Sequence, residues 1–551
     1  MVALGWERAF AFLFYRSGAF LYSDWMAFGS RTMAGLALLS VSDKTGLVAL
    51  ALALVEQFGF ELVSSGGTAR AIADAGLAVT KVADFTGSPE ILGGRVKTLH
   101  PRIHGGILGC PGLSSDQADM ADNDVRPFDL VVVNLYPFEQ TIAQPEVTLP
   151  EAIEQIDIGG PTLLRAAAKN HAYVTVLCHP NQYEEYVQAL TEHDGSVPPA
   201  FRAACARQAF WHTASYDQAI AQYLTLETAT DTEAGVPLPE RWTLTATQHQ
   251  TLRYGENPHQ PAHWYQVGAV PSGWTAAELL QGKPLSYNNL VDLEAARRLM
   301  AEFPPVVPAA AVLKHTNPCG VAIAGSLADA YTRAFNADNV SAFGGIVVLN
   351  QPIDKATATA LTQTFLECIV APGCDPEAAT ILKKKGNLRV LLLADLTQGP
   401  HHLPRAIAGG LLVQTADDLP DDPATWRVVT ERKPDTAQLE ELLFAWRVVK
   451  HVKSNAIVVT RDRATLGIGA GQMNRVGSVQ IALTQAGEQA QGAILASDGF
   501  FPFDDSVRTA AAAGITAIVQ PGGSKRDEDS IQAANELGLV MVLTEVRHFL
   551  H

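Results

Sequence analysis

The sequence predicts an α/β protein of several folding units, and three observations predict it. Short β-branched or apolar runs alternate with helical patterns along most of the chain, the signature of an open parallel sheet with crossover helices. Its 551 residues exceed what one core supports, and at roughly 150 residues per unit they imply three or four units. Apolar residues make up 47 % and charged residues 18 %, with 44 Gly and 31 Pro, a loop-rich globular profile that excludes bulk disorder.

The elements follow in order. Residues 1–32 crowd nine aromatic side chains, among them Trp6, Phe10 and Trp25, without a helical or alternating period. A secretory signal needs a basic start and a small-residue cleavage site, which this stretch lacks. It is expected to be an atypical N-terminal extension, with translation starting at Met33. Residues 33–224 form the first predicted domain, with strands at Leu36–Val41, Glu61–Ser64, Leu130–Asn134 and 173–178 and helices at 47–58 and 151–156. A Thr-, Glu- and Pro-containing stretch, 225–241, reads as a linker. Residues 242–551 carry further strands at 309–313, 345–349, 456–460 and 515–519 among helices, enough for two α/β subdomains that part near 397–424. No repeat of fixed period is visible.

With 40 Lys plus Arg against 57 Asp plus Glu, the net charge of −17 argues against a general polyanion binder. One phosphate needs only a few cations and backbone amides, so a small phosphorylated ligand fits. No run approaches the roughly 18 apolar residues of a membrane span. Cys110, Cys178, Cys205, Cys319, Cys368 and Cys374 form no C-x-x-C pair, so small buried thiols in a reducing, cytoplasmic compartment are expected, without structural zinc.

The first strand runs into Ser42-Asp43-Lys44-Thr45-Gly46 and the second into Ser65-Gly66-Gly67-Thr68. Both loops sit at carboxyl ends of neighbouring strands, where parallel sheets bind ligands and helix N-termini attract anions. An ordinary capped strand-to-helix turn is the alternative. No G-x-G-x-x-G follows the first strand, which speaks against a nicotinamide enzyme. Gly93-Gly94-Arg95-Val96-Lys97-Thr98 offers two cations and a hydroxyl to a phosphate or carboxamide. Asn134-Leu135-Tyr136 closes a strand, and Asp157-Ile158-Gly159-Gly160 opens a helix carrying Arg165 and Lys169. A lysine held beside Asp157 and Tyr136 can act as acid or base if burial moves its pKa, a salt bridge being the alternative.

In the second half Lys314-His315 follows an apolar strand, and Asn317-Pro318 fixes an extended bend after it. An adjacent Lys-His pair suits acyl transfer: the imidazole removes a proton from an amine while the ammonium steadies developing negative charge. A surface histidine beside a solvated lysine is the alternative. Arg253-Tyr254 provides a cation and a phenol for a phosphate, and Phe500, Phe501 and Phe503 beside Asp504 and Asp505 read as an apolar wall with an acidic edge, or as core. The zinc-deaminase spacing is absent: no H-x-E accompanies His315 and no second Cys follows Cys319.

Taken in order, these motifs resemble the bifunctional purine biosynthesis enzymes across residues 33–551. Ser42 to Gly46, Gly93 to Pro101, Asp157 to Gly160 and Ala167-Ala168-Lys169-Asn170-His171 are similar to their inosine monophosphate (IMP) cyclohydrolase half. Arg253 to Gln260, Lys314 to Gly320, Ser341 to Gly345, Lys453-Ser454-Asn455, Gly469 to Gln472, Phe500 to Phe503 and Gln520 to Ser524 are similar to the 5-aminoimidazole-4-carboxamide ribonucleotide (AICAR) transformylase half. The resemblance implies a methylglyoxal-synthase-like open parallel sheet domain, then a transformylase region of two cytidine-deaminase-like α/β subdomains without zinc. It implies formyl transfer from the co-substrate 10-formyltetrahydrofolate to AICAR, then dehydrative closure to IMP, with no bound cofactor. Homodimers with transformylase sites between subunits, and no nucleic-acid or membrane partner, complete the implied picture.

By the same resemblance His315 is the proton acceptor, Lys314 the stabiliser, Asn455 a positioning group and Lys169 the acid or base for closure, with Tyr136 near the ring. Ser42, Asp43, Lys44, Ser65, Gly66, Gly67, Thr68, Arg95, Val96, Lys97, Thr98, Val133, Asn134, Asp157 and Ile158 would bind the IMP-side nucleotide. Arg253, Tyr254, His315, Gly344, Glu367, Asn455, Arg475, Phe500, Asp505 and Arg547 would grip AICAR, and Val476, Ser524 and Lys525 would meet the folate. Two other readings stay open: a nucleotide sensor fused to a formyltransferase, and a zinc deaminase.

Overall fold

A computed structural model describes residues 35–144, 146–228, 241–268 and 270–551. The expected N-terminal extension and most of the expected linker, from 229 to 240, lie outside the described residues. The chain divides into two compact units after Thr243.

The first unit is built on β1 (Leu36–Val41), β2 (Glu61–Ser64), β3 (Thr80–Lys81), β4 (Leu130–Asn134) and β5 (Thr175–Leu177), in the order β3-β2-β1-β4-β5. All pairs are parallel. The central strands read LALLSV and LVVVN and are buried nearly throughout, as expected where helices cover both faces of a parallel sheet. Helix α1 (Leu47–Leu52), extended by a π turn to Gln57, follows β1, and α2 (Gly66–Asp74) follows β2. Helices α3 (Gly159–Lys169) and α4 (Pro199–Thr228) complete the cover, α4 running four residues into the stretch expected to be linker. The strand expected over 173–178 is shorter, because Tyr173 and Val174 donate to the Asn170 carbonyl in a turn that closes α3.

The second unit holds hairpin β6 (Ala246–Leu252) and β7 (Ala262–Val267), then β8 (Glu278–Gln281), β9 (Ala309–Lys314), β10 (Asn317–Ile323), β11 (Ile346–Leu349), β12 (Cys368–Ala371) and β13 (Arg389–Leu392). A second hairpin, β14 (His402–Ile407) and β15 (Gly410–Thr415), precedes β16 (Arg427–Val428), β17 (Ile457–Arg461), β18 (Ala464–Gly469), β19 (Ile494–Ser497), β20 (Ala517–Gln520) and β21 (Val540–Leu543). Twelve of these strands form one sheet in the order β16-β21-β20-β19-β17-β18-β10-β9-β11-β12-β13-β8.

Each half of this sheet follows one plan: an edge strand, a helix, an antiparallel hairpin, a second helix, then three parallel strands with helices between them. The first helices are α5 (Tyr287–Met300) and α7 (Thr436–Val449); the second are α6 (Leu327–Ala337) and α8 (Arg475–Ala486). The correspondence reaches single residues. Gly320, fourth in β10, lies so close to α6 that a Cβ would meet the Ala334 carbonyl at 2.0 Å; Gly467, fourth in β18, would meet the Ala482 carbonyl at 2.0 Å. Ala334 and Ala482 are each the eighth residue of their helix. The duplication is invisible as a sequence period because the loops differ in length while the packing positions are kept. The stretch 397–424 carries β14 and β15, yet the halves share one sheet and one apolar core in which Leu293, Leu299 and Met300 join Leu442, Trp446 and Val449.

Four cysteines are buried, as expected; Cys110 and Cys374 are half-buried because they sit in loops. No helix among the described residues is long and apolar enough to cross a membrane.

Candidate active sites

In the first unit the carboxyl ends of β1, β2 and β4 bring the predicted loops together. Asn134, last in β4, accepts from the backbone N–H groups of Ser42 (2.5 Å) and Asp43 (2.8 Å) and donates to the Asp43 carbonyl at 3.0 Å. Thr68 accepts from the N–H of Val41 and donates to its carbonyl, 3.1 and 3.0 Å, locking the start of α2 to the end of β1. Lys44 folds back onto the Val41 and Ser42 carbonyls, and partial burial lowers its pKa. Lys97 reaches the second loop: a Cβ on Gly66 would sit 3.5 Å from its ammonium. Ser65 and Thr98 are buried beside these groups, and Val133 is buried too, leaving only its backbone for a ligand.

Asp157 stands at the entry to α3. It accepts from Gly160 N–H at 2.8 Å and is reached by the N–H groups of Tyr136 and Gly159, while its own N–H donates to the Tyr216 hydroxyl at 2.8 Å. Burial pushes its carboxyl above the ordinary range, outweighing those donors. Tyr136 and Ile158 are exposed at the rim. Arg95 points outward into an exposed ion pair with Glu154 at 2.5 Å.

The expectation of a lysine beside Asp157 and Tyr136 is corrected. Lys169 is the last residue of the eleven-residue α3, so its Cα lies about 15 Å beyond the helix start at 1.5 Å per residue. It is exposed there, with Cys110 as a neighbour.

In the second unit β9 delivers Lys314 and His315 to a hairpin tip whose two residues, His315 (φ 52°) and Thr316 (φ 63°), both adopt left-handed backbone. Lys314 donates to the Phe343 carbonyl at 3.0 Å and His315 is exposed. Asn317 ties this turn to a second segment: its amide donates to the His315 carbonyl at 3.2 Å and its oxygen accepts from Lys453 N–H at 3.0 Å. Two residues on, Asn455 is held by Gln472, whose carbonyl accepts from its side chain at 2.8 Å, and by Arg475, which donates to its oxygen at 2.9 Å. The guanidinium of Arg475 is buried and also donates to Ala456 and to the fully buried Asp498, which accepts from Ser454 as well. Arg475 therefore braces Asn455 with most of its donors spent inside the protein.

The remaining predicted residues lie around this core. Gly344, with φ 72°, donates to the Phe365 carbonyl at 2.8 Å, and the rings of Phe343 and Phe365 are 5.5 Å apart. Glu367 is paired with Arg389 at 2.8 Å. Arg253 donates to the Tyr254 hydroxyl at 2.6 Å, and Arg547 stacks over Phe549. Asp505, the first residue of its helix, accepts from the N–H of Ser506 at 2.7 Å. Val476 follows Arg475 half-buried, while Ser524 accepts from Arg526 N–H and Lys525 is exposed. The expected phenylalanine wall is corrected in part: Phe501 is fully buried in the core, and only Phe500 and Phe503 are exposed beside the acidic pair. Sequence reading missed Asp498 and Asn317 as supports; Asn317 stood inside a recognised motif, whereas Asp498 is identified only by what it touches.

The chain is similar along nearly all its length to known proteins. A family model described as "AICARFT/IMPCHase bienzyme" matches residues 167–485, and one described as "MGS-like domain" matches residues 46–162. The chain is 68 % identical over 522 residues to the bifunctional purine biosynthesis protein PurH of Nostoc punctiforme, covering 94 % of this chain and all of that one. The PurH proteins of Synechococcus elongatus, 68 % identical, and of Synechocystis, 66 % identical, each align over 520 residues, 94 % of this chain and the whole of theirs.

Proposed function

Since the chain belongs to the AICARFT/IMPCHase bienzyme family of bifunctional purine biosynthesis proteins, catalysing both formyl transfer to AICAR and closure of the product to IMP, we propose that transfer takes place at the Lys314–His315 turn and closure beside Asp157. The observation that carries the first assignment is the Asn317 bridge, which fixes the His315 turn to the segment bearing Asn455. His315 removes a proton from the AICAR amine as its nitrogen attacks the formyl carbon of 10-formyltetrahydrofolate. The bond from that carbon to the folate nitrogen breaks, and the nitrogen leaves with a proton. Lys314, anchored on Phe343, stabilises the oxyanion formed in between, an interaction worth most where water is excluded. Asn455 orients the reacting groups, with Arg253, Tyr254, Gly344, Glu367, Phe500, Asp505 and Arg547 on the nucleotide and Val476, Ser524 and Lys525 on the folate. The folate is a co-substrate and no resident cofactor is required.

In closure, the carboxamide nitrogen of formyl-AICAR attacks its own formyl carbon and water leaves. This step is intramolecular, so holding the chain in a closed conformer supplies much of the acceleration. The loops at Ser42 to Lys44 and Ser65 to Thr68, with Lys97, hold the phosphate. Asp157, whose raised pKa suits proton exchange, faces the ring with Tyr136. Lys169 keeps the acid–base role implied by the resemblance as a separate proposal, since it lies a helix length away on the same chain. A cytoplasmic homodimer is proposed on the family resemblance, and sedimentation of the purified chain tests the dimer.

The test is a split assay of the full chain, following IMP from formyl-AICAR alone and from AICAR plus 10-formyltetrahydrofolate. His315→Ala is expected to lose the second reaction by at least a hundredfold and keep the first. Formyl transfer undiminished in that variant refutes the assignment. Retained closure in Lys169→Met removes Lys169 from the mechanism.

A further inference from the structure

The duplication within the second unit places two hairpin tips in the same local setting, only one of which carries the reactive pair. In the first half, Lys314 ends β9 and His315–Thr316 form the tip; in the second, Arg461 ends β17 and Asp462–Arg463 form it. All four tip residues have left-handed backbone, with φ between 52° and 63°. For residues other than glycine this conformation is strained and persists only where surrounding contacts enforce it.

The enforcing contact is also duplicated. Asp292, sixth residue of α5, accepts from Thr316 N–H at 2.7 Å. Glu441, sixth residue of α7, accepts from Arg463 N–H at 2.6 Å. In the first half the carboxylate is additionally reached by the N–H of His315 and lies within electrostatic range of its imidazole. Each helix thus aims one carboxylate at one tip, and in the first half that tip presents the proton acceptor.

We propose that Asp292 is a positioning residue for formyl transfer: it pins the backbone of the His315–Thr316 tip and so sets where the imidazole meets the AICAR amine, while Glu441 does the same mechanical work at a tip without chemistry. This rests on the assignment of His315 above. The twin supplies an internal control, because truncating either carboxylate frees one strained hairpin of the same sheet, but only one hairpin carries the reacting group.

The experiment measures kcat and KM for formyl transfer, with ring closure and melting temperature recorded alongside, in full-length Asp292→Ala, Asp292→Asn, Glu441→Ala and His315→Ala. A displacement of the reacting group by about 1 Å costs about a hundredfold. Asp292→Ala is therefore expected to lower kcat about a hundredfold with KM for either substrate changed less than threefold. Asp292→Asn, whose amide oxygen still accepts an N–H, is expected to recover part of the loss. Glu441→Ala is expected to keep kcat within twofold while its melting temperature falls. A kcat within twofold of the parent in both Asp292 variants overturns the proposal, and so do equal losses in Asp292→Ala and Glu441→Ala, which would mark a general loosening. If His315→Ala itself transfers formyl normally, the failure belongs to the functional assignment instead.

Discussion

Replacing Asp498 by Asn removes one charge from the interior of the second unit while keeping the side chain's size. Asp498 is fully buried, and its carboxylate accepts from Arg475, from Ser454 and, at 3.0 Å, from Ala456 N–H. Arg475 is only 6 % exposed, and a guanidinium does not deprotonate in a protein. The variant therefore leaves a buried cation without its counter-charge, a change that costs about 3–5 kcal/mol. With about 2.1 cal/mol/K of unfolding entropy per residue over a unit that runs from Leu244 to His551, each kcal/mol moves the melting transition by about 1.5 °C, so that of the second unit falls by roughly 5–8 °C. Calorimetry of the full chain reads the shift, and ring closure by the first unit serves as an untouched reference. The same substitution loosens Arg475 and with it Asn455, so formyl transfer falls together with stability. Combined with Arg475→Met, the loss is smaller than the sum of the two single losses by about 2 kcal/mol or more, because the double variant no longer strands a charge. A single-variant loss below about 1 kcal/mol, or additive losses in the cycle, refutes the account of this network.

Asp157→Asn is expected to abolish ring closure yet leave the first unit as stable as the parent, or more so, at neutral pH. Because burial raises the folded pKa, folding favours the protonated acid. The parent therefore loses stability as pH rises from the ordinary value of 3.8 through the raised one. The amide escapes that loss, and urea unfolding at pH 4 and pH 7 checks the sign. Gly467→Ala forces a Cβ to 2.0 Å from the Ala482 carbonyl and is expected to cost about 1–3 kcal/mol or more by overpacking. Gly410→Ala, whose Cβ meets nothing within 4 Å, is the control in the same thermal melt.

Much of the site was written locally. The glycine-led loops after β1 and β2 combine a strand signal with a chemistry-bearing carboxyl end, which is where a parallel sheet exposes such residues, and the Lys314–His315 pair follows directly on the apolar run of β9, at the turn of an antiparallel hairpin. Strand identity was equally local: Leu36–Val41, Glu61–Ser64 and Leu130–Asn134 agree with the expected spans, because short, mainly apolar runs rather than strict alternation suit strands covered on both faces. Distances along helices and contacts between distant segments were not local. Lys169 looked close to Asp157 on paper, but the eleven-residue length of α3 separates the two along an axis that sequence proximity hides. Phe501 differs from Phe500 and Phe503 only in which way the backbone turns it.

The sequence by itself determined the strands, the phosphate-ready loops and the reactive pair, because each is set by neighbours within a few residues of chain. Only the tertiary structure decided that Asp292 and Glu441 play the same part in two copies of one fold, that Asp498 carries Arg475 and through it Asn455, and that Asn317 bridges to Lys453 across 136 positions of chain. Those relations depend on which buried groups satisfy one another's hydrogen bonds and charge. That satisfaction is fixed by how whole elements pack, not by the order in which they are written.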